Sequence, residues 1–365
     1  MKRSPYRWIT SAMRPISVAS IPMPTMSIDK PHPPGSTGAG LARHASRDRS
    51  APGGLSAGDA GSARGSTAIP SSAAQGRDHQ HIAAVDPAPG VGFYWSDAPW
   101  GRVVRCTALD PFADHFFSGR GLEPLAIDVP PQVTANQAPA TRLVAHYLNA
   151  SAGNVWRVQQ VHGAAVCAAA ATPRVNEEDE WPTADALVTD RSDLVLTVRT
   201  ADCVPVLMVD PVRHVVAAVH AGWRGLASRV IPATVAHLQS RYGVPATDVV
   251  AAVGPSIGPT RYEVCGDVRR AFLQAGHDEA ACSRWFRPIT AADPDRSADG
   301  RYLLDMWQAS RDALMAAGVL TAHIHVASLC TATHVSVFHS YRVEGTRSGR
   351  MINAIRPNRV LQDVA

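Results

Sequence analysis

The sequence predicts an α+β fold, a layered sandwich with a mixed β-sheet and flanking helices. Three observations point there. Short β-like apolar runs recur at 101–108, 186–189, 194–198, 204–209 and 214–220. Turn signals part them, among them Asp190-Arg191-Ser192-Asp193 and Asp210-Pro211. A helical period then takes over at 224–241, where Leu226, Val230, Ala233 and Leu238 share one face and Gly243 follows the end. Pro232 falls inside that stretch, so a kink or a later helix start is expected there. Beyond it the pattern gives a strand at 249–253, a helix at 267–274, a helix at 302–317 closed by Gly318, and a strand at 322–327. Strands and helices intermixed in this way suit a sheet with helices on its faces, and no repeat of 20–50 residues is visible.

Composition narrows the function classes. The chain has 365 residues, 45% hydrophobic and 18% charged, enough for a substantial core. Its formal charge of +4 comes from the first 90 residues, which hold ten Lys/Arg against five Asp. Residues 91–365 carry 25 bases and 26 acids. A near-neutral globular part without a basic stripe argues against nucleic acid as a partner. No apolar run approaches the roughly 18 residues of a membrane span, so no membrane is expected either. The six cysteines are scattered and form no CxxC pair, which speaks against a disulfide framework. A soluble cytoplasmic protein in a reducing compartment is the expectation.

Two segments are expected. Residues 1–90 read as a disordered, low-complexity leader, because 31–90 is rich in Gly, Ser, Ala, Pro and Arg without sustained periodicity. The first 28 residues lack acids, which suits a transit peptide or a start codon placed too far upstream. Pro15, Pro22 and Pro24 interrupt any secretory apolar core. Residues 91–365 read as a single catalytic domain.

Three short segments combine reactive side chains with tight glycines: Gln160-Val161-His162-Gly163, Thr200-Ala201-Asp202-Cys203 and His220-Ala221-Gly222-Trp223-Arg224-Gly225. The third places His220 at the carboxyl end of a strand and aims a helix start at whatever lies outside. Arg224 in that first turn opposes the macrodipole, which makes sense beside a bound anion such as phosphate, or beside a neighbouring carboxylate. A lone Cys203 in apolar sequence is commonly a small buried hydrophobe. If His162, Cys203 and His220 meet, one thiolate and two imidazoles suit zinc and leave the fourth tetrahedral position open, as in a catalytic site. Their separations of 41 and 17 residues leave that meeting undecided. Arg342, Arg347 and Arg350 are either an anion site or a solvated basic face.

The same residues carry a family resemblance. Thr200-Ala-Asp-Cys203, His220-Ala-Gly-Trp-Arg-Gly225, Gly254-Pro-Ser-Ile257 with Tyr262-Glu-Val264, Cys330-Thr331 and Ser340-Tyr-Arg342 with Gly349-Arg350 occur in the order seen in the YfiH family. That family is also called the laccase-domain, multicopper polyphenol oxidoreductase or purine nucleoside phosphorylase family. The resemblance spans about residues 91–360 and implies a YfiH-like fold. It implies zinc, with copper as the other candidate, held by His162, Cys203 and His220. It also implies phosphorolysis of adenosine, inosine and methylthioadenosine, together with adenosine deamination, so the expected partners are purine nucleosides and phosphate. Cys203, His162, His220 and Asp202 are the catalytic candidates, with Asp202 either moving a proton on the base or orienting a metal-bound imidazole. Arg224, Arg342 and Arg350 are the candidates for phosphate or substrate.

Two departures stand out. Thr260-Arg261 occupies the place where many relatives have cysteine, and Arg342-Val343 replaces an Arg-Arg pair. Three rival readings share these residues. A cysteine hydrolase of amide or peptidoglycan-editing type would use Cys203 as nucleophile with a histidine base. A structural zinc domain would recruit Cys330 as fourth ligand. A copper-dependent polyphenol oxidoreductase would need several His-x-His clusters, of which 91–365 offers His323-Ile324-His325.

Overall fold

A computed structural model describes residues 86–122, 139–169, 181–289 and 300–358. All of them belong to one compact unit, His79–Ala365. The leader reading for 1–90 lies outside the described residues except at 86–90. There the chain is already tied to the fold: Gly90 N–H donates to Ala327 O at 2.7 Å, and Asp86 pairs with Arg102 at 2.8 Å.

The strands are β1 (Phe93–Ala98), β2 (Gly101–Cys106), β3 (Ala113–Ser118), β4 (Val155–Trp156), β5 (Val166–Ala168), β6 (Ala186–Thr189), β7 (Val195–Thr200), β8 (Val204–Asp210), β9 (Val215–Ala221), β10 (Val250–Val253), β11 (Glu263–Val264), β12 (Phe286–Pro288), β13 (Tyr302–Leu304), β14 (Ile324–Val326) and β15 (Met351–Pro357). The helices are α1 (Pro139–Tyr147), α2 (Trp223–Ala227), α3 (Val230–Tyr242), α4 (Gly266–Gln274), α5 (Glu279–Trp285), α6 (Met306–Ala316) and α7 (Tyr341–Glu344).

Among the described residues there are two six-stranded mixed sheets. One has the order β1-β2-β3-β15-β7-β4, the other β14-β10-β8-β9-β6-β5, and a three-stranded sheet β11-β13-β12 stands beside them. Side-chain alternation explains how they stack. Along β8 and β9, Leu207, Val209, Val216 and Ala218 join Phe117, Leu196, Val198 and Ile355 of the other sheet in one core. The alternate residues Val206, Met208, Ala217 and Val219 instead meet Ile231, Val235 and Leu238 of α3 and Leu314 of α6. Across the other sheet, Phe116, Val195 and Ile352 pack on Val144 and Ala145 of α1. The layers therefore run helix, sheet, sheet, helices. Strands buried on both faces carry no polar alternation, which is why 204–209 and 214–220 read as plain apolar runs.

Four expectations are adjusted. The helix expected at 224–241 is two helices, broken at Ser228-Arg229, where Arg229 adopts a left-handed φ of 65°. Of the two expectations for Pro232 the later helix start holds and the kink does not: α3 begins at Val230, so Pro232 is its third residue, where no backbone N–H is required. The helix expected at 302–317 begins later: residues 302–304 pair with β11 and β12, and Asp305 caps α6 by accepting from Gln308 N–H at 2.9 Å. The sequence pattern also missed β1, β3, α1 and β15. Yet β15 lies inside its sheet, between β3 and β7. Its polar residues hid it, and they find partners on neighbouring segments: Arg356 reaches Asp114 at 2.8 Å, and Asn353 donates to Val198 O and Thr200 Oγ1.

Candidate metal centre

Strand register brings the reactive residues to one end of the second sheet. β8 and β9 are antiparallel, with Val204 opposite Ala221 and Pro205 opposite His220. Cys203, one residue before β8, therefore lies beside the carboxyl end of β9. β6 pairs with β9 from Ala186 opposite Val219, so Asp185 arrives at the same level, and its carbonyl accepts from His220 N–H at 2.7 Å. The His162 loop joins through the bridge between Gln159 and Thr183.

The ligating atoms of His162, Cys203 and His220 all lie within 4.8 Å of one another. Cys203 Sγ is 3.8 Å from His162 Nε2, and the two imidazoles meet edge to face at 4.7 Å between centroids. His220 is buried, Cys203 half-buried and His162 exposed, so the group opens to solvent on one side. Gly222 makes the close approach feasible: a Cβ there would fall 2.8 Å from His162 Cδ2 and 2.9 Å from Cys203 Sγ. A thiolate with two imidazoles around such a cradle fits zinc or copper. Cys330, the candidate fourth ligand, is outside the group, and its sulfur accepts from Gly258 N–H at 3.2 Å.

Sequence reasoning missed Asp185. This fully buried carboxylate accepts from His220 Nδ1 at 2.8 Å and from the backbone N–H groups of His162 at 2.9 Å and Gly163 at 2.6 Å. Burial alone would raise its pKa, but the His220 hydrogen bond and these backbone donors outweigh burial and lower it. One signal was present: an acid one residue ahead of an apolar strand, much as Asp202 stands two residues ahead of β8. Buried carboxylates need several donors, so such an acid marks a junction of segments.

Asp202 has a φ of 84°. Among the described residues its carboxylate takes its hydrogen bonds from Thr331 Oγ1 and Arg342 N–H, both at 2.6 Å, rather than from an imidazole. Its carbonyl accepts from Ile257 N–H at 3.0 Å. Asp202 thus ties the cysteine loop to the segments 254–259, 330–331 and 340–342.

Electrostatics at the group are dominated by opposite charges. Burial would raise the Cys203 thiol, but His220 and His162 bring it down to about 6. Burial would likewise lower His220, yet Cys203 and Asp185 lift it to about 9. Without metal the two residues therefore form a thiolate–imidazolium pair.

The candidate anion-binding arginines are spread around this centre. Arg224 is exposed in the short α2, with its guanidinium 4.3 Å from the Trp223 ring centroid. Arg342 is also exposed; it lies over Tyr262 at 4.9 Å and donates to Glu263 O at 2.7 Å. Arg350 turns one nitrogen to the carbonyls of Ser348 and Gly349.

The family model described as multi-copper polyphenol oxidoreductase laccase matches residues 112–358, which include every residue of this centre. The chain belongs to that family. It is 35% identical over 171 residues to a purine nucleoside phosphorylase of Bacteroides thetaiotaomicron, an alignment covering 47% of this chain and 60% of that relative. It is 36% identical over 201 residues to purine nucleoside phosphorylase YfiH of Escherichia coli, covering 55% of this chain and 72% of that one. A protein named adenosine deaminase RL5, from an unknown prokaryote, is 37% identical over 171 residues, covering 47% of this chain and 61% of its own length. Among solved structures, YlmD of Geobacillus stearothermophilus superposes with a TM-score of 0.60 at 28% identity, covering 73% of this chain and 99% of that one. The YfiH structure from Bacillus licheniformis does so at 0.62 and 26%, covering 72% and 98%. These relatives support reading the chain as an enzyme, and the solved structures share the mixed-sheet α+β fold the sequence predicts.

Proposed function

We propose that the chain is a zinc-dependent purine nucleoside phosphorylase acting on adenosine, inosine and S-methyl-5'-thioadenosine, with adenosine deaminase activity at the same centre. The meeting of His162, Cys203 and His220 within 4.8 Å carries this reading. The names of its relatives support it. His162, Cys203 and His220 would hold the metal, which would supply Lewis acidity for both reactions. The remaining work falls to the chain. In phosphorolysis a phosphate oxygen bonds to the anomeric carbon as the bond to the purine nitrogen breaks, and cations must hold the phosphate. Arg224 and Arg342 serve there, with Arg350 beside them. Asp202 acts by position, fixing the backbone of Arg342 relative to Cys203.

The test is an assay of purified full-length protein on the three nucleosides, with and without phosphate. Base release that requires phosphate, together with inosine formation from adenosine, is the expected result; neither activity in zinc-loaded protein overturns the reading. Arg224→Ala should weaken phosphorolysis about ten- to a hundredfold and leave deamination unchanged.

One observation favours a second reading, a cysteine hydrolase: the Cys203 thiol lowered to about 6 beside His220. Amide cleavage by metal-free protein, abolished by alkylating Cys203, would select it. Copper-based polyphenol oxidation is less well supported. Among the described residues His162, Cys203 and His220 are the one group of three or more metal-ligating side chains.

A further inference from the structure

We infer that Asp185 is the positioning residue of this centre, one carboxylate that sets both histidines for metal binding by fixing the ring of His220 and the backbone of His162. The inference rests on the metal reading of the site and concerns a residue outside the three donors.

The two oxygens divide the task. Oδ1 accepts from His220 Nδ1 at 2.8 Å and from His162 N–H at 2.9 Å. Oδ2 accepts from Gly163 N–H at 2.6 Å and from Val161 N–H at 3.3 Å. An ionised carboxylate only accepts, so His220 must carry its proton on Nδ1. That leaves Nε2 as the nitrogen with a lone pair for a metal. The three consecutive N–H groups of 161–163 wrap the same carboxylate, and this wrapping coincides with the left-handed backbone of His162, φ 61°. A non-glycine residue holds such a conformation only where its surroundings over-determine it. The exposed His162 has one apolar neighbour in sequence, Val161, and that side chain is itself exposed. Apolar packing of Val161 therefore does not hold the loop: Gln159 bridges to Thr183 and Gln160 pairs with the Arg199 backbone on its near side, and across 161–163 the carboxylate holds it.

An amide cannot replace this carboxylate. In Asp185→Asn one end becomes an NH2 donor. It then faces either the N–H groups of Gly163 and Val161 or those of His162 and His220, and one histidine loses its support whichever way the amide turns.

The test uses full-length protein stripped with chelator and titrated with zinc against a competing indicator, and it measures affinity rather than turnover. Asp185→Asn should bind zinc about ten- to a hundredfold more weakly than wild type, while Cys203→Ala gives the floor. Equal affinity of wild type and Asp185→Asn overturns the inference. A second measurement does not depend on that variant folding. Long-range 1H–15N spectra of metal-free wild type above pH 9, where the ring keeps a single proton, assigned with His220→Gln, should show that proton on Nδ1. A proton on Nε2 with Nδ1 bare overturns the inference. Wild type that binds no zinc fails the metal reading instead, and the ring proton of His220 still decides the role of Asp185.

Discussion

Two buried histidines, one in each six-stranded sheet, titrate in opposite directions. His115 on β3 is fully buried; burial pushes it down to about 4 despite the nearby Asp110 and Asp114. Its Nε2 accepts from Cys106 N–H at 2.8 Å and its Nδ1 donates to Ala113 O at 3.1 Å, so the neutral ring fully satisfies its neighbours. His220 on β9 is 3% exposed, and burial pulls the same way, yet Asp185 and Cys203 raise it to about 9. Two neutral backbone partners make a structural histidine; two anionic side chains make a reactive one.

Removing the anions breaks this comparison most severely at Cys203. Cys203→Ala deletes one donor of three, so metal content by elemental analysis should fall from close to one per chain to near zero. Equal content in wild type and variant would remove Cys203 from the centre.

Next in size is the reactivity of the thiol. In metal-free protein the Cys203 thiolate forms as pH rises through about 6, well below the ordinary thiol value of 9. At pH 7 alkylation should run on the order of a hundredfold ahead of a free cysteine in thiolate fraction. The measured rate should have its midpoint near pH 6, and a midpoint near 9 would mean that no charged His220 faces the sulfur.

Gly222→Ala sharpens the geometry. The added methyl must displace the His162 ring and the Cys203 sulfur, and overpacking of this kind costs about 1–3 kcal/mol. Chemical denaturation and zinc titration should both register the change, and the zinc response is expected to exceed that of a substitution at the open Gly243.

The smallest effect belongs to His115. Its folded pKa lies below the unfolded 6.5, so its contribution is present above pH 6.5 and is lost as pH falls through about 4. Stability measured from pH 7 down to 4 should decline less in His115→Gln than in wild type. An unchanged slope would assign the acid sensitivity elsewhere.

Much of the second sheet was legible because its strands are buried on both faces. Uninterrupted runs such as 204–209 and 214–220 have few alternatives to a central strand. The first sheet was legible at β2 and β7 but not at β3 and β15, which carry Asp114, Asn353 and Arg356, whose side-chain partners lie far along the chain. The end of α2 was missed because a left-handed Arg229 leaves no pattern in side-chain polarity. Around the metal centre the donor types were readable at positions 162, 203 and 220, while Asp185 was not, since a single acid beside an apolar strand has no periodicity to mark it.

The sequence by itself determined which elements form the layers around the second sheet, and it determined which side chains are chemically able to hold a metal. Both follow from local properties, apolar period and donor type. Only the tertiary structure decided that three donors from separate loops lie within 4.8 Å, that Asp185 rather than Asp202 serves the histidines, and that His115 and His220 carry opposite charge preferences. Strand register sets those distances, and burial with particular neighbours sets those charges. Neither is a property of any one segment of the chain.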